Sequence, residues 1–193
     1  QAGEADAPSA DIQELSKTVI TQPSSDLLVI AASNGENLKL AERFAAQAHA
    51  QDLTASVLDL TELDLPLFTP RALAAGTPSA VTPLQQQLAA ATRWVICTPE
   101  YNGSIPPVLT SAIAWLSVQG DDFRSLFNGR PVAIATRSGS GGTTVLAALR
   151  LQLAHLGAHV VGRQLVSTST NSAKDESIAD LIHRLKQLQP LQP

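Results

Sequence analysis

The chain has 193 residues, of which 44% are hydrophobic and 16% are charged, and its formal net charge is −4. This composition excludes a disordered or collagen-like chain and argues against broad binding to nucleic acid. Because the single cysteine, Cys97, cannot form an internal disulfide and no Cys/His pair has zinc-site spacing, we expect neither a disulfide scaffold nor a metal site, and we expect a cytoplasmic protein.

The chain divides into a short tail and one domain. Residues 1–25 are acidic, with scattered Pro and Ser and only a weak apolar pattern, which predicts a weakly ordered tail. This segment lacks the basic start and continuous apolar run of a signal peptide. Residues 26–193 form the predicted domain, and no run in them reaches the roughly 18 apolar residues that a membrane span needs.

From Leu27 onward, short apolar runs alternate about five times with segments of helical periodicity. The apolar runs are typical of strands buried on both faces and lie at Leu27–Ala32, Ser56–Leu60, Trp94–Thr98, Pro131–Thr136 and within His159–Ser167. Helices are predicted at about Asn37–Ala50, Thr82–Ala91, Pro107–Val118, Thr143–Leu156 and Asp175–Leu188. This alternation predicts an α/β fold: a doubly wound, five-stranded parallel sheet in the flavodoxin-like order 2-1-3-4-5, with helices on both faces.

Polar loops follow the first, third and fourth predicted strands. We call them the first loop (Ser33–Asn37), the second loop (Pro99–Ser104) and the third loop (Ser138–Gly142). In an open sheet of this order, a ligand binds beyond the carboxyl ends of the strands, between strands 1 and 3, where the order reverses. The three loops are therefore the candidate binding surface.

The first loop has the composition of an anion cradle. Small residues let a ligand approach the backbone, and the N–H groups at the start of the following helix are free to face a phosphate. The alternative is that Ser33 and Asn34 form only a turn and Asn37 caps the helix. We expect Glu36 to point to solvent, because a carboxylate that pointed inward would repel a phosphate.

The second loop favours a planar ring as its ligand. Asn102 and Gly103 permit left-handed turns that expose backbone N–H groups, and the only tyrosine, Tyr101, precedes them. The alternative is a tight strand-to-helix turn in which Tyr101 packs on the surface or in a subunit contact. In the third loop, the glycines do not have the spacing of the dinucleotide fingerprint, so a flexible turn is an equally open interpretation.

A family resemblance rests mainly on the second loop and the helix after it. The segment Pro99–Pro106 (PEYNGSIP), followed by Ala112–Ser117 (AIAWLS), resembles the signature of the NADPH-dependent FMN reductases, which include flavodoxin-like quinone, chromate and azo-dye reductases. Leu65–Phe68 and the third loop fall where that family has similar residues, so the resemblance covers roughly residues 27–167. The first loop differs: Ala32-Ser33 stands where the family usually has a Gly-Ser-x-Arg start, and the loop that follows is shorter and has no arginine.

The resemblance implies an oxidoreductase that passes a hydride from NADPH or NADH to bound FMN and then to a small acceptor such as a quinone, flavin, azo compound or chromate. The implied cofactor-binding residues are Ser33, Asn34, Gly35, Asn37, Leu38, Pro99, Glu100, Tyr101, Asn102, Gly103, Ser104, Ser138, Gly139 and Gly142. Without an arginine in the first loop, we expect backbone N–H groups and Ser or Asn side chains to hold the phosphate. The resemblance also implies a homodimer or homotetramer.

No protein side chain is predicted to carry the chemistry, since the flavin does so in this family. We interpret the four histidines (His49, His155, His159 and His183) as surface or packing residues and Cys97 as a small buried hydrophobe. An alternative function is a non-enzymatic, flavodoxin-type FMN-binding electron carrier. Such carriers usually have a strongly acidic surface, whereas residues 26–193 are nearly neutral.

Overall fold

A parallel sheet forms the centre of the computed structural model, which describes residues 25–139 and 141–190. The strands are β1 (Leu27–Ala31), β2 (Ala55–Asp59), β3 (Trp94–Cys97), β4 (Pro131–Arg137), β5 (His159–Val160) and β6 (Leu165–Ser167). Their order is β2-β1-β3-β4-β5, and β6 also pairs with β4. The predicted order is confirmed, and the bounds of the first four strands agree with prediction to within one residue.

The fifth position of the sheet is shared by two short strands rather than held by one. The offset between paired residues rises from 28 (Val132 with Val160) to 30 (Ala135 with Leu165), so two residues are looped out between β5 and β6. The Arg150 guanidinium donates to the carbonyls of Val161 and Gly162, at 2.9 and 3.3 Å. A side chain from the preceding helix thus satisfies the carbonyls that leave the sheet at this break.

Helices cover both faces of the sheet. They are α1 (Glu36–His49), α2 (Pro70–Ala74), α3 (Val81–Ala90), α4 (Pro107–Ser117), α5 (Thr143–Leu156) and α6 (Asp175–Lys186). α1 and α6 pack on one face, and α3, α4 and α5 pack on the other. The helix bounds match the predictions to within one residue, except that α6 ends two residues early. None of the helices in the described ranges is long and apolar enough to cross a membrane.

The single-turn helix α2 was not predicted. Its start carries two common signals: the Thr69 hydroxyl accepts a hydrogen bond from the Ala72 N–H, and Pro70 takes the first helical position. It belongs to the connection after β2, which begins with a 3₁₀ turn over Leu60–Glu62.

The predicted N-terminal tail, residues 1–25, lies outside the described residues except for Ser25. Ser25 forms a parallel bridge with Ala91 just before β1, so the described fold begins one residue before the predicted boundary.

Trp115 anchors the connection that follows β2. Its indole Nε1–H donates to the Pro66 carbonyl at 2.8 Å, and its ring meets the Phe68 ring edge-on, with centroids 5.0 Å apart. The Ser111 hydroxyl, one turn earlier on α4, accepts a hydrogen bond from the Phe68 N–H at 2.8 Å. Since Trp115 is fully buried, its role is to hold this segment against α4.

Candidate functional site

The three loops lie together at the carboxyl edge of the sheet. Since β1, β3 and β4 are neighbours and run parallel, the segments after them emerge on the same side. The order reverses between β1 and β3, which is where ligands bind in open α/β sheets. Of the fourteen predicted site residues, Asn34, Gly35, Tyr101, Asn102, Gly103, Ser104 and Gly139 are exposed, Ser33, Leu38, Glu100 and Ser138 are half-buried, and Asn37, Pro99 and Gly142 are buried.

The Asn37 side chain joins the first loop to the end of β4. Its Nδ2 donates to the Arg137 carbonyl at 2.9 Å, and its Oδ1 accepts from the Arg137 N–H at 2.8 Å. The side-chain amide thereby pairs with a backbone unit 100 residues away, as a neighbouring strand would. This pair of bonds gives Asn37 a structural role, and a direct contact with a ligand stays a prediction.

Glu100 joins the second loop to the start of α5. Its Oε2 accepts a hydrogen bond from the Val145 N–H at 3.0 Å, in the first turn of that helix. A carboxylate is stabilised there because the N-terminal N–H groups of a helix have no intrahelical acceptor. The second and third loops are also close at Gly103, where an added Cβ would lie 3.9 Å from Thr144 Cγ2.

The second loop forms a tight turn between Tyr101 and Ser104. These two residues exchange backbone N–H···O hydrogen bonds of 3.1 and 3.0 Å. Asn102 and Gly103, at the corner, have φ of +53° and +72°, so the predicted left-handed turn is confirmed. Tyr101 is 50% exposed, and its ring therefore lies at the rim of the loop cluster.

A polar segment after β6 supports the third loop. The Ser138 N–H donates to the Ser167 carbonyl at 3.0 Å, and the Ser169 hydroxyl donates to the Gly139 carbonyl at 2.8 Å. Sequence reasoning missed this support. The serines and threonines of residues 167–172 could have predicted it. They lie at the end of the strand beside β4 and just after it, so they emerge next to the third loop.

Gly142 and Thr136 meet beneath the third loop. Gly142 has φ of +100°, and a Cβ there would lie 2.6 Å from Thr136 Cγ2, so only glycine fits. The Thr136 hydroxyl is buried and has no hydrogen-bond partner among the described residues. The loop thus packs tightly on a polar group whose hydrogen-bonding capacity is unused.

The first loop presents free backbone donors beside a small charge cluster. The N–H groups of Ser33, Asn34 and Gly35 donate to no other group in the described part of the chain. Glu36 is exposed, as predicted, and its carboxylate lies 2.7 Å from Lys39 Nζ and 4.0 Å from Arg137 Nε. The hydrogen bond from Lys39 holds the pKa of Glu36 below its usual value, so this carboxylate is ionised at neutral pH.

The histidines and the cysteine lie as predicted. All four histidines are exposed, and they occupy helices or the start of β5. Cys97 is fully buried at the end of β3, and burial raises the pKa of its thiol, so it remains protonated. Its packing role is confirmed.

Comparison with known proteins identifies the family. The family model described as NADPH-dependent FMN reductase matches residues 25–172. The chain belongs to this family. It is 33% identical over 138 residues to the NAD(P)H-dependent FMN reductase of Pseudomonas aeruginosa, which covers 66% of this chain and 72% of that protein. It is also 44% identical over 63 residues to the quinone reductase of Escherichia coli K12, which covers 33% of this chain and 32% of that enzyme.

A solved structure agrees with the fold. The flavoenzyme NAD(P)H:(acceptor) oxidoreductase FerB from Paracoccus denitrificans has a TM-score of 0.67 at 19% identity, over 85% of this chain and 98% of that one. This confirms the predicted flavodoxin-like fold. Family membership makes the chain an oxidoreductase that uses FMN with NAD(P)H, so the predicted family, enzyme class and cofactor are confirmed as well.

Proposed function

We propose that FMN binds across the three loops, and that the protein passes electrons from NAD(P)H through it to a small acceptor such as a quinone, free flavin, azo compound or chromate. The observation that carries this proposal is the position of the loops at the strand-order reversal, together with the Asn37 and Glu100 contacts that join them into one surface. A relative named as a quinone reductase supports a small organic acceptor.

The described residues fit FMN. A phosphate needs several donors at once, and the first loop offers, just before α1, three N–H groups that find no acceptor in the described ranges. A flavin ring needs donors and acceptors along its polar edge, and the exposed turn from Tyr101 to Ser104 offers backbone groups of both kinds. The Thr136 hydroxyl, which is buried and unpartnered within residues 25–139 and 141–190, adds a further polar group under the third loop.

The chain's own residues position the cofactor. We assign phosphate binding to Ser33, Asn34 and Gly35, and ring binding to residues 99–104 with Ser138, Gly139 and Gly142. Asn37 and Glu100 are positioning residues, because their polar atoms hold the loops, and Leu38 packs against the core beneath α1. Bound FMN supplies the hydride acceptor and donor, so these residues need only orient it.

We further propose that residues 26–193 form a single domain and that the protein is a cytoplasmic homodimer or homotetramer. The oligomer is what the family resemblance implies, and burial between copies of exposed apolar side chains such as Leu67, Tyr101 and Leu151 would be favourable. Light scattering of the purified protein measures its mass and tests this point.

Anaerobic reduction tests the function. The protein is loaded with FMN, freed of excess flavin and mixed with NADPH or with NADH, while the visible absorbance of the flavin is recorded. We expect the absorbance to fall with at least one nicotinamide and to return when a quinone is added. A loaded protein that neither nicotinamide bleaches would refute the enzymatic proposal and favour the electron-carrier alternative.

A matched pair of glycine variants tests the location of the ring. Gly103 and Gly120 both have positive φ, and neither has an atom within 3.4 Å of an added Cβ. Replacing either residue with alanine therefore introduces a similar backbone strain energy, about 1–2 kcal/mol. Gly120 follows α4 and lies away from the loops. Gly103→Ala is expected to weaken FMN binding several-fold and Gly120→Ala to leave it unchanged. Equal effects would place the ring elsewhere.

A further inference from the structure

The charge of the first loop is unfavourable for a phosphate. Its five residues include Glu36 and no lysine or arginine, so the loop alone carries a net negative charge near the N–H groups that would receive a dianion. The free N–H groups and the start of α1 attract an anion, but they must also overcome this repulsion. A cation from another part of the chain would change that balance.

Arg137, at the end of β4, lies where such a cation is needed. The Asn37 amide holds its backbone against the first turn of α1, and its Nε is 4.0 Å from Glu36 Oε2. The side chain is only 22% exposed, and its Nη1 also donates to the Ser138 carbonyl at 2.6 Å. A guanidinium has five N–H donors, so these two contacts leave donors for another anion.

Lys39 is a weaker candidate for the same role. Its side chain is 71% exposed and is already paired with Glu36, three residues earlier on α1. An exposed ammonium on a flexible chain is well hydrated and gains little from one more anion. The guanidinium of Arg137 is more shielded and is held at the junction of the first and third loops.

We propose that Arg137 supplies the positive charge for the FMN phosphate and that Glu36 competes with the phosphate for it. This inference rests on the proposed function, since it takes the FMN phosphate to lie at the first loop. It also revises the expectation that only backbone groups and small polar side chains hold the phosphate. When FMN is absent, Glu36 is the anion beside Arg137, and when FMN binds, the phosphate takes over that contact.

Equilibrium binding of FMN and of riboflavin separates the phosphate contribution from that of the ring. Riboflavin carries the same ring without the phosphate, and quenching of flavin fluorescence reports the Kd of each at low ionic strength. Arg137→Met is expected to raise the Kd for FMN at least about tenfold, the loss of one charge-assisted contact, and to change the Kd for riboflavin less than about twofold. Arg137→Lys is expected to give an intermediate Kd for FMN, because it keeps the charge but loses the planar fork.

Two further variants complete the test. Glu36→Gln removes the competing carboxylate and is expected to tighten FMN binding about two- to fivefold without changing riboflavin binding. Arg184→Met removes one positive charge from the last turn of α6 and controls for net charge, because that turn lies beside the end of α1, where Lys186 Nζ donates to the Gln51 carbonyl, rather than beside its start. It is expected to bind both flavins like the wild type.

The results distinguish this inference from the proposed function. Arg137 does not bind the phosphate if Arg137→Met raises the Kd of both flavins equally or of neither. The same follows if the wild type binds FMN and riboflavin equally well. The proposed function would still stand in those cases, provided that the loaded protein is bleached by NAD(P)H. If the wild type binds neither flavin, both proposals fail. Arg137→Lys serves as the deciding variant if Arg137→Met does not fold.

Discussion

Replacing Asn37 with alanine tests whether one amide side chain holds the first loop to β4. The substitution removes two hydrogen bonds, of 2.9 and 2.8 Å, from a residue that is 2% exposed. Each bond contributes about 1 kcal/mol net, and a carbonyl and an N–H of Arg137 lose their partner. Because Arg137 lies near the surface, water can replace part of that loss. We therefore expect the free energy of unfolding to fall by about 2–3 kcal/mol.

Urea denaturation of the protein without FMN measures this change. The two buried tryptophans, Trp94 and Trp115, report unfolding by fluorescence. The midpoint is expected to shift with an unchanged m-value, and the melting temperature to fall by about 4–12 °C for a chain of this size.

Asn34→Ala is the matched control for this measurement. Asn34 lies in the same loop but is exposed, so its replacement by alanine is expected to change the free energy of unfolding by less than about 0.5 kcal/mol. If the two variants were equally stable, the Asn37 contacts would not hold the loops together.

Two other substitutions test the packing of the third loop and the pH dependence of stability. Gly142→Ala should lower the free energy of unfolding by at least about 2 kcal/mol, since a Cβ would clash with Thr136 at 2.6 Å and φ is +100°, whereas Gly162→Ala, with open space around the added Cβ and a φ outside the left-handed region, should lower it by less than about 0.5 kcal/mol. A stable Gly142→Ala protein would contradict the close packing of this loop. Hydrogen bonds from the Thr54 N–H and hydroxyl hold the pKa of Asp26 below its usual value. That stabilisation is present above the unfolded pKa of about 3.9 and is lost as the pH falls through the lower folded pKa, so Asp26→Asn should be less stable than the wild type at pH 7, with the difference shrinking below about pH 4. A difference that stayed constant from pH 7 to 3 would show that the Asp26 charge does not contribute.

Most of the fold could be predicted from sequence because most of its elements carry a local signal. Four strands are short apolar runs, and the helices between them have a clear apolar stripe, so their bounds and order follow from periodicity and topology rules. The break between β5 and β6 carries no such signal. It lies inside the predicted run His159–Ser167, and the side chain that satisfies it, Arg150, comes from the preceding helix.

The candidate site was predicted at the level of loops but not of individual contacts. Asparagine at position 37 is typical of a helix cap or of a phosphate ligand. Nothing in the local sequence indicates that its partner is the backbone of Arg137, 100 residues later. Glu100 likewise gives no local sign that it binds the start of α5. Contacts between distant segments depend on how the loops meet in space, which local patterns do not report.

These contacts divide the polar side chains of the site into two groups with different consequences for binding. Asn37, Glu100 and Ser169 use their side chains to hold distant segments, whereas the N–H groups of Ser33, Asn34 and Gly35 have no acceptor among the described residues. When the loops are ordered before the ligand binds, the binding free energy does not include the entropy cost of ordering them. Asn37, Glu100 and Ser169 should therefore govern FMN affinity by ordering the loops, while backbone donors and, in our proposal, Arg137 make the contacts with the phosphate.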